Sequence, residues 1–372
     1  MGDTPQQKQG FFARKNIVFS AKRYGIDALG AMAQGLFASL LIGTIFDTLG
    51  QQLGIDFFVQ VGAFAKTTEV VGAAMAVAIA LALQAPPLVL FSMVTVGYAA
   101  NALGSTSLIP DQAGAGGPLA VLFIAVIAAE FGKAVSKETK IDILVTPLVT
   151  ILVGVGLSAW WAPAIGTAAT AVGNIIMWAT DLQPFLMGIV VSVVIGVALT
   201  LPISSAAICA AFGLTGLAGG AAVAGCCANM VGFAVLSFRE NRWGGLVSQG
   251  LGTSMLQMPN IVRNPRIWLP AILTSAITGP LATCVFHLEM NGPPVSSGMG
   301  TCGLVGQIGV WTGWLAPSER AIANGAVAIT PGVMDWAGLI LISFVLPAVL
   351  CWAFGLFFRR IGWIKEGDLT LE

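Results

Sequence analysis

The sequence has little charge. Only 9% of its 372 residues are Asp, Glu, Lys or Arg, against roughly 25% in a soluble globular domain. Seventeen cations balance seventeen anions, so the formal net charge is zero. No basic stripe is available to hold a nucleic acid, and none is expected as a partner. There is one histidine, His287, and it falls at the end of an expected membrane span, where an interfacial role suits it. The chain shows no Ser-His-Asp set, metal-ligand spacing, phosphate-binding loop or dinucleotide fingerprint. It also lacks a polar stretch long enough for a catalytic domain. No catalytic residue, metal or cofactor is therefore expected. The six cysteines are Cys209, Cys226, Cys227, Cys284, Cys302 and Cys351. They include no CxxC pair and lie in apolar or Gly-rich stretches, where thiols behave as small buried hydrophobes.

What is present is apolar. Hydrophobic residues make up 56% of the chain and mean hydropathy is +0.88. A helix needs about 20 mostly apolar residues to cross hydrocarbon. About ten such runs can be read, at 25–46, 67–84, 86–104, 118–135, 142–160, 184–201, 203–220, 221–238, 267–287 and 331–358. The fold expected is an all-α polytopic membrane protein with about ten transmembrane helices. Re-entrant hairpins and amphipathic surface helices complete it. The stretch 203–238 reads either as two spans or as one span plus a re-entrant hairpin.

Basic residues fix an expected orientation. Arg14, Lys15, Lys22 and Arg23 precede the first run, mixed with Phe11, Phe12, Ile17, Val18 and Phe19. That pattern is a basic amphipathic helix on the cytoplasmic face rather than a signal peptide. Further clusters are Lys133, Lys137 and Lys140, then Arg239 and Arg242, Arg263 and Arg266, and Arg359, Arg360 and Lys365. With ten spans, all of these share the side of the N-terminus, and both ends are cytoplasmic. The opposite loops hold Asp47, Asp56, Asp111, Asp181, His287 and Glu289. Residues 161–183 read as an amphipathic linker on the outer surface, and 243–262 as a second on the inner side. The expected organisation is a tail with its amphipathic helix (1–24), a first transmembrane half (25–160), the linker (161–183), a second half (184–358) and a C-terminal tail (359–372).

Irregular backbone survives at membrane depth only where protein or a water cavity covers it. Three Gly- and Ser-rich breaks are of this kind. The first, starting at Leu201-Pro202, offers Ser204 and Ser205. The second, Gly250 to Asn260, offers Gln257 and Asn260. The third, Pro293 to Gln307, offers Ser296, Thr301 and Gln307. Polar side chains inside spans are costly and mark sites or pairings. Asn229, central in its run, has no local partner, so a helix–helix hydrogen bond and a solute contact both suit it. Glu130 is expected to pair with Lys133, and Lys66 with Glu69. The candidate solute contacts are these eight: Ser204, Ser205, Asn229, Gln257, Asn260, Ser296, Thr301 and Gln307.

The segment Pro259-Asn260-Ile261-Val262-Arg263-Asn264-Pro265-Arg266-Ile267-Trp268-Leu269-Pro270 resembles part of subunit IIC of the bacterial phosphotransferase system, the membrane carrier for sugars. The glucose and cellobiose branch shows N-E-P-x-x-F-G-x-P-x-x-x-N-P before an apolar span. Here the spacing between the prolines is one residue longer. Ile329-Thr330-Pro331, before the last run, is similar to the family's T-T-P. The resemblance extends over roughly 25–358, and the chain looks like a divergent branch that includes proteins described as toxin regulators. It implies an inner-membrane homodimer joined through the first half. The second half would carry two re-entrant hairpins and the sugar, and would move to expose the site alternately to each side.

The sequence departs from that pattern where the chemistry lies. The family's Glu before the first proline contacts the hydroxyl to be phosphorylated, yet Leu251 to Met258 contains no carboxylate. The family's histidine near the first hairpin is replaced by the region of Ser204 and Ser205. Phosphoryl transfer needs an acid or base and a phosphate donor, and here the donor would have to be a separate soluble phosphotransferase subunit. Three functions fit: a transporter of a sugar-like or anionic solute without phosphorylation, a true phosphotransferase carrier with separate partners, and a membrane sensor or regulator.

Overall fold

The computed structural model describes residues 10–103 and 117–371, so the expected outer-loop residue Asp111 lies outside the described part. Among the described residues the chain is helical, with a single isolated bridge between Gly216 and Met290. The principal helices are α1 (Arg23–Gln51), α2 (Asp56–Ala65), α3 (Thr68–Ala82), α4 (Pro87–Ala102), α5 (Gly117–Val135), α6 (Asp142–Thr180), α7 (Pro184–Thr200), α8 (Gly216–Leu236), α9 (Pro265–Val285), α10 (Val305–Leu315) and α11 (Val333–Arg360). Starts are set by local chemistry. Pro87 and Pro184 stand at first helical positions, where a missing N–H costs nothing. Thr67 accepts a hydrogen bond from the Val70 amide at the head of α3.

Six helices among the described residues are long and apolar enough to cross a membrane: α1, α5, α6, α8, α9 and α11. The pair α2–α3, bent by 55° at its break, makes a seventh, and α4 and α7 are shorter apolar helices. In the first half, α3 and α4 form a tight antiparallel pair. Asn101 at the end of α4 donates to the Thr68 carbonyl at the start of α3. Gly72 and Gly97 face each other, and a Cβ on Gly97 would stand 2.6 Å from that of Ala76.

The basic clusters do gather on one face. Arg14 and Lys15 pair with Glu138, at 2.9 and 2.5 Å. Lys133 donates to the carbonyls of Asn16 and Leu83, and Arg23 also reaches Leu83. Arg359 pairs with Glu240 at 2.7 Å. Asp27, Ala82, Asn260 and Thr370 line one shared cavity, which joins the two halves on this face. Glu130 pairs with Lys133 at 2.9 Å as expected. Lys66 instead reaches across to Asp47 of α1, at 2.5 Å, because the bend between α2 and α3 breaks the helical register that Glu69 would have needed.

The stretch 203–238 does not form two spans. Ser205–Ala211 is a helix of 7 residues, about 10 Å long, too short to cross. Gly216–Leu236 is one continuous helix. The contacts of α7 explain the difference. Thr283 near the end of α9 donates to Pro184 at the start of α7, Ser192 bonds Ser275, and Asn229 bonds both Ser275 and Trp268 near the start of α9. Hence α7 and α8 both run antiparallel to α9, and parallel to each other. The chain enters along α7, stops at Thr200 beside Asn229, and returns through Ser205–Ala211 to start α8 at the same face. The result is a hairpin that turns inside the bundle. Its turn follows from Leu201-Pro202, since a residue before proline is pushed from the α region, and Leu201 has φ −70° and ψ 159°.

A second hairpin enters from that same face. Gly216 and Met290 exchange backbone hydrogen bonds, Thr301 lies against Met230, and Gly313 returns to the backbone of Asn291 and Gly292. Its arms are Pro294–Gly298 and α10. Its tip needs left-handed backbone at Gly300 (φ 52°) and Gly303 (φ 51°), with Leu304 following at φ 59°.

Residues 161–180 continue α6 rather than forming a separate surface helix. The whole helix has 39 residues, with Pro147 and Pro163 inside it. At about 58 Å it exceeds the roughly 30 Å hydrocarbon core, so its later turns lie beyond or along the surface. Residues 243–262 do not form one surface helix: they are broken into short turns, with Arg242 at φ 51° marking the first break, and Gly250 to Ser254 dip into the bundle.

Candidate functional site

The three breaks expected from the sequence converge on the middle of α8. Thr200, at the tip of the first hairpin, shares a hydrogen bond of 2.7 Å with Ser254 in the second break. Thr200 also donates to Asn229 at 3.2 Å. Thr301, at the tip of the third break, donates to the Gly250 carbonyl. Ser205 donates to the Gly298 carbonyl at 2.8 Å, tying the two hairpins together. Leu41, Met230, Met299 and Cys302 form a small apolar cluster beside these groups.

Asn229 is fully buried and fully used. Its oxygen accepts from Thr200 and from the Trp268 indole at 3.0 Å, and its amide donates to the Gly225 carbonyl and to Ser275. An asparagine amide offers two donors and two acceptor lone pairs, so none is left over in this conformation. Gln307 differs. Its amide nitrogen contacts Cys227 Sγ at 3.2 Å, while its oxygen is buried with no hydrogen-bond partner. Unsatisfied buried groups of this kind are uncommon and costly.

The remaining expected residues separate. Ser296 is buried in the descending arm of the second hairpin, against Gly309 of α10, rather than at the tip. Ser204 accepts from the Ile208 amide through its carbonyl and heads the short returning helix. Gln257 and Asn260 lie nearer the basic face. Gln257 donates to Gln249 at 2.9 Å, and Asn260 donates to Gln257 at 2.9 Å. Next to Asn260 is a cavity of about 340 Å³, also lined by Asp27, Gly30, Gln34, Pro259 and Thr370.

Asp27 and Gln34 are the lining residues that sequence reasoning passed over. Their signal was present: Asp27, Gly30, Ala31 and Gln34 fall on one face of a helix, and a carboxylate this early in an apolar run is costly. Thr200 was also passed over, as the final residue of an apolar run. Five cysteines are buried, as expected for small hydrophobes, whereas Cys284 is exposed; all six are free thiols. At the basic face the structure shifts the titration of Glu138. Its hydrogen bond from Lys15, aided by the charges of Arg14 and Lys15, holds its carboxyl below the usual range.

A polytopic helical bundle in which two hairpins stop within the bundle, among buried hydroxyls and amides, is the scaffold of a membrane transporter. Residues 26–371 match the family described as Phosphotransferase system, EIIC, and the protein belongs to that family, as its Pro259–Pro270 segment suggested. Comparison with curated proteins and with solved structures gave no match.

Proposed function

We propose that the protein carries a small polar, sugar-like or anionic solute across the bacterial inner membrane by alternating access, without phosphorylating it. The observation that carries this reading is the meeting of three broken segments at Thr200, Ser254, Asn229 and Thr301. Hydroxyl and amide groups placed there donate and accept, which suits hydroxyls or a carboxylate. In the described conformation they are satisfied by one another, so the site is closed. Separating the hairpins from the 250–260 segment would free them for a solute. The absence of a carboxylate from Leu251 to Met258 favours transport without phosphoryl transfer.

In this reading the basic face is cytoplasmic. Helices α1, α3, α4, α5, α6, α8, α9 and α11 then cross the membrane, and both hairpins enter from outside. Both termini are cytoplasmic, and the molecule is a homodimer joined through its first half.

One observation favours phosphorylation-coupled carriage as a second reading: Asp27 places a carboxylate at the inner cavity beside Asn260. Proteoliposomes given a panel of labelled sugars and sugar acids, with and without soluble phosphotransferase subunits, separate the two. Uptake of unmodified solute that is reduced in Gln307→Ala supports the first. Phosphorylated product that disappears in Asp27→Asn supports the second and overturns the first. Solute uptake that Gln307→Ala leaves unchanged removes the site assignment.

A further inference from the structure

The inner side of the candidate path is already occupied, by the chain's own C-terminal segment. After α11 ends at Arg360, the backbone turns at Gly362 (φ 75°) and Gly367 (φ 89°) and folds back under the bundle. Ile364 and Leu369 are buried. Trp363 stacks on Phe358 with ring centroids 5.3 Å apart, and the Arg266 guanidinium lies over the Trp363 ring, 5.4 Å from its centroid. The tail is then held by side-chain amides. Asn241 donates to the Leu369 carbonyl at 2.7 Å and accepts from the Leu371 amide at 2.8 Å. Gln257 donates to the same Leu369 carbonyl at 3.0 Å, and Asn260 donates to the Thr370 carbonyl at 2.9 Å.

Two of these three donors, Gln257 and Asn260, are the groups that the sequence singles out for a polar solute. Side-chain amides that grip backbone carbonyls would equally grip the hydroxyl or carboxylate oxygens of a solute. The tail thus takes the hydrogen bonds that a solute passing the inner mouth would need. It has no regular secondary structure of its own beyond turns. Outside its two apolar anchors it is attached mainly by hydrogen bonds from the side chains of the body. Such an attachment can open locally without unfolding the bundle.

We infer that residues 364–371 are the inner gate of the solute path, docked on Asn241, Gln257 and Asn260 and released before those amides can take a solute. The identity of the path rests on the transport reading above, but the docking and release of the tail do not. The test needs no solute. A cysteine reporter is placed beside the tail by Leu256→Cys, a position that lines the cavity with Thr370 and Leu371 and leaves the three docking amides in place, in a chain whose exposed Cys284 is replaced (Cys284→Ser). Inside-out vesicles are treated with a membrane-impermeant thiol reagent. Reaction should be slow with the tail present and about tenfold faster when the chain ends at Gly362. A synthetic peptide of residues 361–372 should restore protection, which a merely structural role for the tail would not require. Asn241→Ala in the full-length reporter should give an intermediate rate, and it decides the matter if the shortened chain does not fold. Equal rates in all folded forms, or no protection by the peptide, overturn the proposal. Loss of gating with intact solute uptake faults the gate alone, and intact gating without uptake faults the transport reading alone.

Discussion

The hydroxyls of Thr200 and Ser254 lie 2.7 Å apart, although 54 residues separate them in the chain. One ends α7 at the tip of the first hairpin and the other sits in the broken segment that packs beside α7 and α8. Both are buried, so the bond joins two segments that the transport reading requires to part. Thr200→Val keeps the shape and removes the hydroxyl. Leaving Ser254 and Asn229 short of a partner should cost about 1–3 kcal/mol. A lower unfolding temperature in detergent, with the helical signal intact, is the expected result; no change would show that the bond contributes nothing to closure.

Asn229 makes four hydrogen bonds, three of which link α8 to α7 and α9, the fourth going to Gly225 within α8. Asn229→Ala removes all four and strands the Trp268 indole N–H. The expected loss exceeds that of Thr200→Val and is on the order of 3 kcal/mol, the upper range for stranded buried partners. Trp268→Phe, which removes only the indole donor, should fall below it. Equal unfolding temperatures for Asn229→Ala and the parent would contradict the assignment of Asn229 as the junction of these helices.

The α3–α4 pair depends on the absence of side chains at Gly72 and Gly97. Gly97→Ala puts a Cβ 2.6 Å from that of Ala76, which forces the helices apart. Loss of packing in such interfaces typically costs 1–3 kcal/mol through overpacking, roughly. Gly156→Ala meets nothing within 4 Å and serves as the control. Similar thermal stability for the two variants would argue against this close approach.

The gathering of basic residues on one face predicts labelling from a single side. Cysteines introduced at Lys137 and at Lys365, in a Cys284→Ser background, should both react with an impermeant reagent in inside-out vesicles and neither in right-side-out ones. Labelling on opposite faces would refute the single basic face.

The docking of the N-terminal segment on the 136–140 turn should depend on pH. Glu138 has a carboxyl depressed by Lys15 and Arg14. A depressed carboxyl stabilises the docked form above its ordinary range, and that contribution fades as pH falls through the depressed value. Limited proteolysis around Arg14 should therefore accelerate in acid, below the ordinary carboxylate range. Glu138→Gln should cleave at the faster rate even at neutral pH. A pH-independent rate in the parent would dismiss the pairing as a tether.

The helices of the first half were legible because each is a long apolar run ending in turn residues or charge. The basic clusters gave the common face, since parity alone decides it. Replacing one expected span by a hairpin, and counting α7 with that hairpin, removes two crossings and leaves the sides unchanged. The run at 203–220 misled because Ala, Ile, Leu and Gly suit a buried hairpin as well as a span. Burial inside protein and burial in lipid select the same apolar residues. Only Pro202 and the left-handed Gly213 and Gly216 mark the turns. The three breaks were readable from composition, but their meeting beside Asn229 and Met230, and the tail's claim on Gln257 and Asn260, depend on contacts across 29 to 112 residues. No local pattern encodes these.

Glycines lace α7, α8 and α9 together backbone to backbone. The backbone of Gly225 packs on that of Ser192, Gly279 on Gly188, and Gly196 on Gly225. With so little side chain between them, these helices cannot slide without collision of main-chain atoms. They form one stiff block that carries the first hairpin with it. In the transport reading, a movement that opens the site must then be taken up at the block's borders. The turn at Asp181 to Gln183, between α6 and α7, and the broken stretch from Ser237 to Asn264 are the joints on which such a block would swing. The 39 residues of α6 make the arm that ties it to the other half.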